Sequence, residues 1–157
     1  MTEPILTPET WRFLAETRRA TLATIDDAGR PRLVPICFVL SENPSSGAPT
    51  LHTPLDEKPK RATDPLDLAR ARDIMARPAV TILVDRWSED WTALAWLRGN
   101  GEGVLLRPGH PSVARERDAA IVALRAKYPQ YEDHDLASRP LIRITLTSVA
   151  TWSAREP

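Results

Sequence analysis

Apolar and polar positions alternate in blocks that set the element order. Thr7 followed by Pro8 reads as an N-cap and first helical residue. Trp11, Leu14 and Ala15 then recur at i, i+3 and i+4, which predicts a short amphipathic helix ending near Arg18. ATLATI (20–25) and RLVPICFVL (32–40) are strand-like runs separated by DDAGRP (26–31), whose Asp and Gly favour turn conformations, so a hairpin is expected. The second run is apolar at both parities, with Leu33, Cys37 and Val39 on one face and Val34, Ile36, Phe38 and Leu40 on the other. It therefore predicts a strand buried on both sides. Pro35 cannot donate to a ladder, so the sheet should open there.

SENPSSGAP (41–49) is a loop by composition, and TLHT (50–53) is the next strand. Asp64-Pro65 marks the start of a helix carrying Leu68, Arg72 and Met75 and stopping before Pro78. AVTILVDRW (79–87) and TALAWLRGNGEGVLL (92–106) predict a second hairpin. Val113, Arg117, Ile121, Leu124 and Tyr128 then mark one face of a helix, and LIRITLTSVATWSA (141–154) closes the chain as one or two strands. This order lacks regular βαβ alternation, so a mainly β (α+β) chain, a small antiparallel barrel with peripheral helices, fits better than a doubly wound sheet.

Composition narrows the function classes. A chain of 157 residues with 42% hydrophobic positions suits one domain, taken as residues 1–157. Lys+Arg and Asp+Glu both number 21, so the overall field gives no reason to expect nucleic acid or an anionic membrane as partner. The N-terminus lacks a signal-peptide pattern and no stretch suits a membrane span, which points to a cytoplasmic protein. Cys37 is the sole cysteine and the three histidines are scattered, so neither a disulfide nor a local metal motif is expected.

The candidate chemistry is local. Lys58, Lys60 and Arg61 follow the TLHT strand around the stiff Pro59. They read either as a phosphate site or as a solvated loop paired with Asp56, Glu57 and Asp64. The glycines of Arg98–Gly103 lack the Lys-Ser/Thr of a phosphate loop and are expected to bend a strand or admit another backbone. Trp96, mid-strand, reads as core. Trp87 and Trp91, at the hairpin end, read equally as interface or ligand contacts. Cys37 reads as buried and inert, and His52 as either a ligand contact or a satisfied structural group.

Taken in order, RRATLATIDDAGRPRLVPICFVL, LHTPLDEKPKR, ARDIMARPAVTILVDRWSEDWTALAWLRGNGEG and RPLIRITLTSVATWSA resemble the pyridoxamine 5′-phosphate oxidase-like flavin-binding split barrels over nearly the whole chain. Within them the chain looks most like the actinobacterial branch that uses the deazaflavin coenzyme F420 in place of FMN. The resemblance implies a homodimer of six-stranded split barrels with a cofactor at each interface site. Val34, Pro35, Ile36 and Cys37 would lie along the ring, His52 and Thr53 along the ribityl-like chain, and Lys58, Lys60 and Arg61 at the phosphate. Asp85, Arg86, Trp87 and Trp91 would reach over from the partner subunit. The stretch between Arg61 and Asp73 is longer than in relatives, which leaves the contribution of Arg61 open. The implied activity is hydride transfer between F420 and a small planar or unsaturated substrate. The alternatives are an FMN-dependent oxidase or reductase, or binding of the cofactor or another planar ligand without turnover. No side chain is singled out as acid or base.

Overall fold

The computed structural model describes residues 3–55 and 64–155. Its strands are Ala20–Ile25 (β1), Pro31–Ile36 (β2), Val39–Glu42 (β3), Pro49–Pro54 (β4), Ala79–Arg86 (β5), Ala95–Leu106 (β6) and Leu141–Ser153 (β7), and its α-helices are Pro8–Glu16 (α1), Ala69–Ala76 (α2) and Ala114–Lys127 (α3). The strands pair antiparallel in one sheet of order β2-β1-β5-β6-β7-β4-β3.

The two edge strands of that order are joined by only Cys37 and Phe38. Six interstrand steps in a flat sheet would separate them by about 29 Å, whereas the three Cα steps from Ile36 to Val39 reach about 11 Å. The sheet must therefore roll until its edges meet, giving the split barrel with peripheral helices. Among the described residues the strands number seven where six were expected, because the run at 32–40 bends into two strands.

Tyr128 sets the bend. Its buried hydroxyl accepts from the Phe38 N–H at 3.0 Å and lies 3.0 Å from the Phe38 carbonyl and 2.8 Å from that of Arg18. The Phe38 N–H thus finds its acceptor on a side chain, and the one hydroxyl proton is shared between the Phe38 and Arg18 carbonyls. Replacing Tyr128 with phenylalanine leaves those groups without it, and is expected to lower stability in urea by about 1–3 kcal/mol. Amide exchange should quicken first at residues 36–39, and an unchanged midpoint would show that solvent replaces the hydroxyl freely.

Rolling creates two cores. Leu22, Phe38, Leu51, Ile82, Leu97 and Ile144 fill the barrel, with α1 adding Leu14 and α2 adding Ala71 and Ile74. Val39, Leu106, Leu124, Leu136 and Leu141 form a second core against α3. The buried face of α2 is thus Ala71 and Ile74 following Leu68, while Arg72 and Met75 are exposed, contrary to the sequence pattern. The helix also begins later than expected, since Asp64 caps a 3-10 turn at Pro65–Asp67. Asp73, buried on α2, accepts from Thr24 Oγ1 at 2.7 Å and from Arg32 Nε at 2.8 Å, tying the helix to the β1–β2 hairpin. Among the described residues no helix is long and apolar enough to cross a membrane.

Candidate ligand-binding site

The barrel exterior carries an open apolar face. Register places Leu33, Ala23, Thr81 and Asn100 in one cross-strand row, Pro35, Thr21, Leu83 and Arg98 in the next, and Asp85, Trp96 and Trp152 in a third. A groove of about 560 Å³ runs over these rows. Leu33 is 66% exposed, Leu83 42% and Trp152 43%, so the expectation that β2 is buried on both faces fails within one chain. Trp96, expected in the core, is half-buried and lines this groove, with the Arg98 guanidinium 5.8 Å from its ring centroid. A contiguous apolar patch of this kind marks a place where something else packs. β2 pairs only with β1, and Pro35 takes the edge position where a missing N–H breaks no ladder.

A polar cluster lies on the side covered by α3. Val39, His52, Arg143 and Val104 form one cross-strand row. Above it the Glu116 carboxylate of α3 takes His52 Nε2 at 2.7 Å and Arg143 Nε at 2.8 Å on Oε1, and an Arg143 terminal nitrogen at 3.3 Å on Oε2. Burial pushes the His52 pKa down and outweighs the upward pull of Glu116. Burial pushes Glu116 up, but the hydrogen bonds from His52 and Arg143 together hold it below the ordinary value. Near neutral pH the contact is therefore a hydrogen bond from neutral imidazole to carboxylate.

Both shifts act in one direction on stability. A proton on His52 is disfavoured in the folded chain, so its contribution is full above the ordinary value of 6.5 and falls as pH drops through it. Glu116 follows, its contribution full above 4.5 and lost as pH falls through its depressed folded value. Denaturation midpoints are expected to decline from pH 7 to pH 5, with a flatter decline in His52→Gln. Equal slopes in the two proteins would remove His52 from the explanation.

Comparison with known proteins decides the family. Residues 6–153 match the family model for pyridoxamine 5′-phosphate oxidase. The chain belongs to the pyridoxamine 5′-phosphate oxidase family. Solved structures agree in fold. A conserved hypothetical protein from Mycobacterium tuberculosis superposes with TM-score 0.70 at 18% identity, covering 99% of this chain and 89% of that one. A FAD-binding protein from Mesorhizobium loti gives 0.66 at 22%, covering 93% and 94%, and the heme storage protein from Vibrio cholerae 0.63 at 16%, covering 96% and 95%. No curated protein sequence matches significantly.

Within this pyridoxamine 5′-phosphate oxidase fold the residues singled out in the sequence separate into groups. Pro35 and Asp85 face the exterior groove side of the sheet, on strands joined through β1. Val34 and Ile36 turn into the barrel core, and Cys37 lies in the bend, half-buried against the second core. Thr53 is fully buried, and His52 is held under α3 by Glu116. Arg86 donates to the Ala93 carbonyl at 2.7 Å and stacks over Phe13, so it fixes the β5–β6 connection. Trp87 and Trp91 on that connection are 67% and 69% exposed. Lys58, Lys60 and Arg61 lie outside the described residues.

Sequence reasoning missed Glu116, Arg143 and Lys127. Lys127, at the end of α3, donates to the Thr17 carbonyl at 2.8 Å and sits 4.2 Å from the Phe38 ring centroid. Burial, aided by the Arg18 charge, lowers its pKa to about 8. No local motif announces these three, since each finds its neighbours only through the packing of α3. Trp96 and Arg98 share parity along β6, yet neither was read as a groove residue, since Trp96 was expected in the core.

Proposed function

We propose that this chain is an oxidoreductase of the pyridoxamine 5′-phosphate oxidase family. It works as a homodimer with F420 held between subunits, and hydride passes between the cofactor and a small planar or unsaturated organic substrate. The observation that carries the reading is the exposed apolar face around Leu33, Leu83 and Trp96, beside the proline-interrupted edge of β2. The residues fit such a group: a flat ring suits an apolar groove of about 560 Å³, and the cations that follow β4 in sequence suit a phosphate.

In this reading the side chains bind and exclude water. Val34 and Ile36 face the core, so their ligand contacts are through backbone, as are those of Cys37 in the bend. Pro35 keeps the middle of that edge free of a competing donor. Leu33 and Leu83 shield the groove, and Asp85, Arg86, Trp87 and Trp91 of the partner subunit close it. Thr53 and His52 anchor the strand leading into the Lys58, Lys60 and Arg61 phosphate clamp. When bound, the deazaflavin supplies the hydride chemistry itself.

FMN in the same groove is the second reading, favoured by the FAD-binding relative from Mesorhizobium loti. Absorbance of purified protein after incubation with each cofactor separates them, and near-stoichiometric FMN retention would overturn the F420 reading. Stopped-flow oxidation of the reduced, bound cofactor across a substrate panel tests turnover, and no acceptor-dependent oxidation would leave a carrier. Leu83→Glu places a charge on the shared face and is expected to convert the dimer to monomer in light scattering and to lose cofactor retention. A dimeric Leu83→Glu protein retaining cofactor would sink the interface.

A further inference from the structure

A second groove, between α3 and β3, shares only His52 with that reading. It holds about 510 Å³ and runs from Val39 and Leu40 toward the loop at Asn43 and Ser45. Ala119, Ala120 and Ala123 line its helical side, where larger side chains on successive turns would close it. At its other end are His52, 4% exposed, and Glu116, with Arg115 next to it on α3 and Ser112 just before the helix.

The hydrogen bonds at that end leave an acceptor over. Glu116 Oε1 takes two donors, while Oε2 has one contact at 3.3 Å. An ionised carboxylate offers about four acceptor positions, and this side chain is 31% exposed where it lines the groove. Arg143 balances its charge, His52 contributes none near neutral pH, and Glu42 and Arg115 on the groove lining are of opposite sign, so the groove offers an acceptor without net charge. A cation gains little there, and an anion meets the carboxylate. Arg115, exposed and adjacent to Glu116 on α3, supplies a donor beside this acceptor. A neighbouring acceptor and donor match the N–H and C=O of one amide edge, and the alanine side with Val39 and Leu40 matches an apolar ring.

We propose that the groove between α3 and β3 binds an uncharged aromatic carboxamide or lactam, with its N–H donated to Glu116 and its ring against Ala119, Ala120 and Ala123. The site is separate from the groove of the hydride-transfer reading and does not depend on it.

Titration of the full chain with 2-naphthamide, followed by heteronuclear NMR, tests this. Shifts are expected to concentrate in residues 39–45 and 112–123. N,N-dimethyl-2-naphthamide, which lacks the donor, and 2-naphthoate, which carries a charge, should each bind at least tenfold more weakly. Ala119→Trp fills the groove from an exposed helix position and should weaken 2-naphthamide tenfold or more with an unchanged circular dichroism spectrum. If that variant does not fold, Ala123→Phe makes the same test. Equal binding of the dimethyl amide, tighter binding of the naphthoate, or shifts centred on Leu33 and Leu83 would overturn the proposal. So would an absence of shifts, or full affinity in a folded variant with the groove filled.

Discussion

Gly101→Ala is expected to cost about 3 kcal/mol or more of unfolding free energy. β6 and β7 shift register between Asn100 and Gly101, and there the β7 backbone comes so close that a Cβ on Gly101 would run into the Thr145 carbonyl oxygen. The obstacle is backbone within the longest strand pair of the sheet, so it cannot swing aside as a side chain end would. Gly29 provides the contrast. It sits at φ 78° with nothing within 4 Å of an added Cβ, so alanine there bears only the left-handed backbone cost of about 1–2 kcal/mol. Urea denaturation of both variants checks the difference. A Gly101→Ala protein as stable as Gly29→Ala would mean that the β6–β7 ladder can part without loss.

Lys60→Ala is expected to weaken cofactor binding about ten- to a hundredfold, the loss of a charge-assisted contact of about 1.5–3 kcal/mol. Tryptophan fluorescence reads the titration directly, since Trp96 lines the groove and Trp87 and Trp91 are exposed on the β5–β6 connection. Unchanged affinity would contradict the phosphate role of Lys60. A tenfold loss in Lys60→Ala with little change in Arg61→Ala would also resolve the question that the long stretch before Asp73 leaves over Arg61.

Strand positions were legible because period-two patterning and turn residues are local signals: β1, β5, β6 and β7 fall within the runs read from the sequence, and β4 extends one residue beyond TLHT at each end. The break at Cys37-Phe38 was not, because its cause is the Tyr128 hydroxyl, which comes 90 residues later in the chain. Apolar residues at both parities in 32–40 were read as burial on two faces. The physical reason differs by half of the run. Val39 is covered by the second core, whereas Leu33 is left open in the single chain. The sequence pattern records that Leu33 avoids water, not which molecule covers it. α2 was misread because Arg72 and Met75 have stems that mimic an apolar stripe, while the small Ala71 makes the close contact. His52 was recognised as a candidate, yet Glu116 and Arg143 lie 64 and 91 positions further on (116 − 52; 143 − 52), and only the placement of α3 over β4 and β7 brings them together.

The sheet order also dictates when the barrel can be assembled on the ribosome. β1, β2, β5 and β6 pair among themselves, and β3 pairs with β4, but the two groups share no ladder until β7 lies between β6 and β4. β7 is synthesised after the other six strands described, so until it emerges the nascent chain carries two half-sheets that share no ladder and are linked only by connecting chain, as at Cys37 and Phe38. Closure is then a late, long-range step, of the kind that slows folding and leaves edges exposed while it waits. A truncation before Leu141 removes one of the seven strands described and with it the ladder that joins both halves.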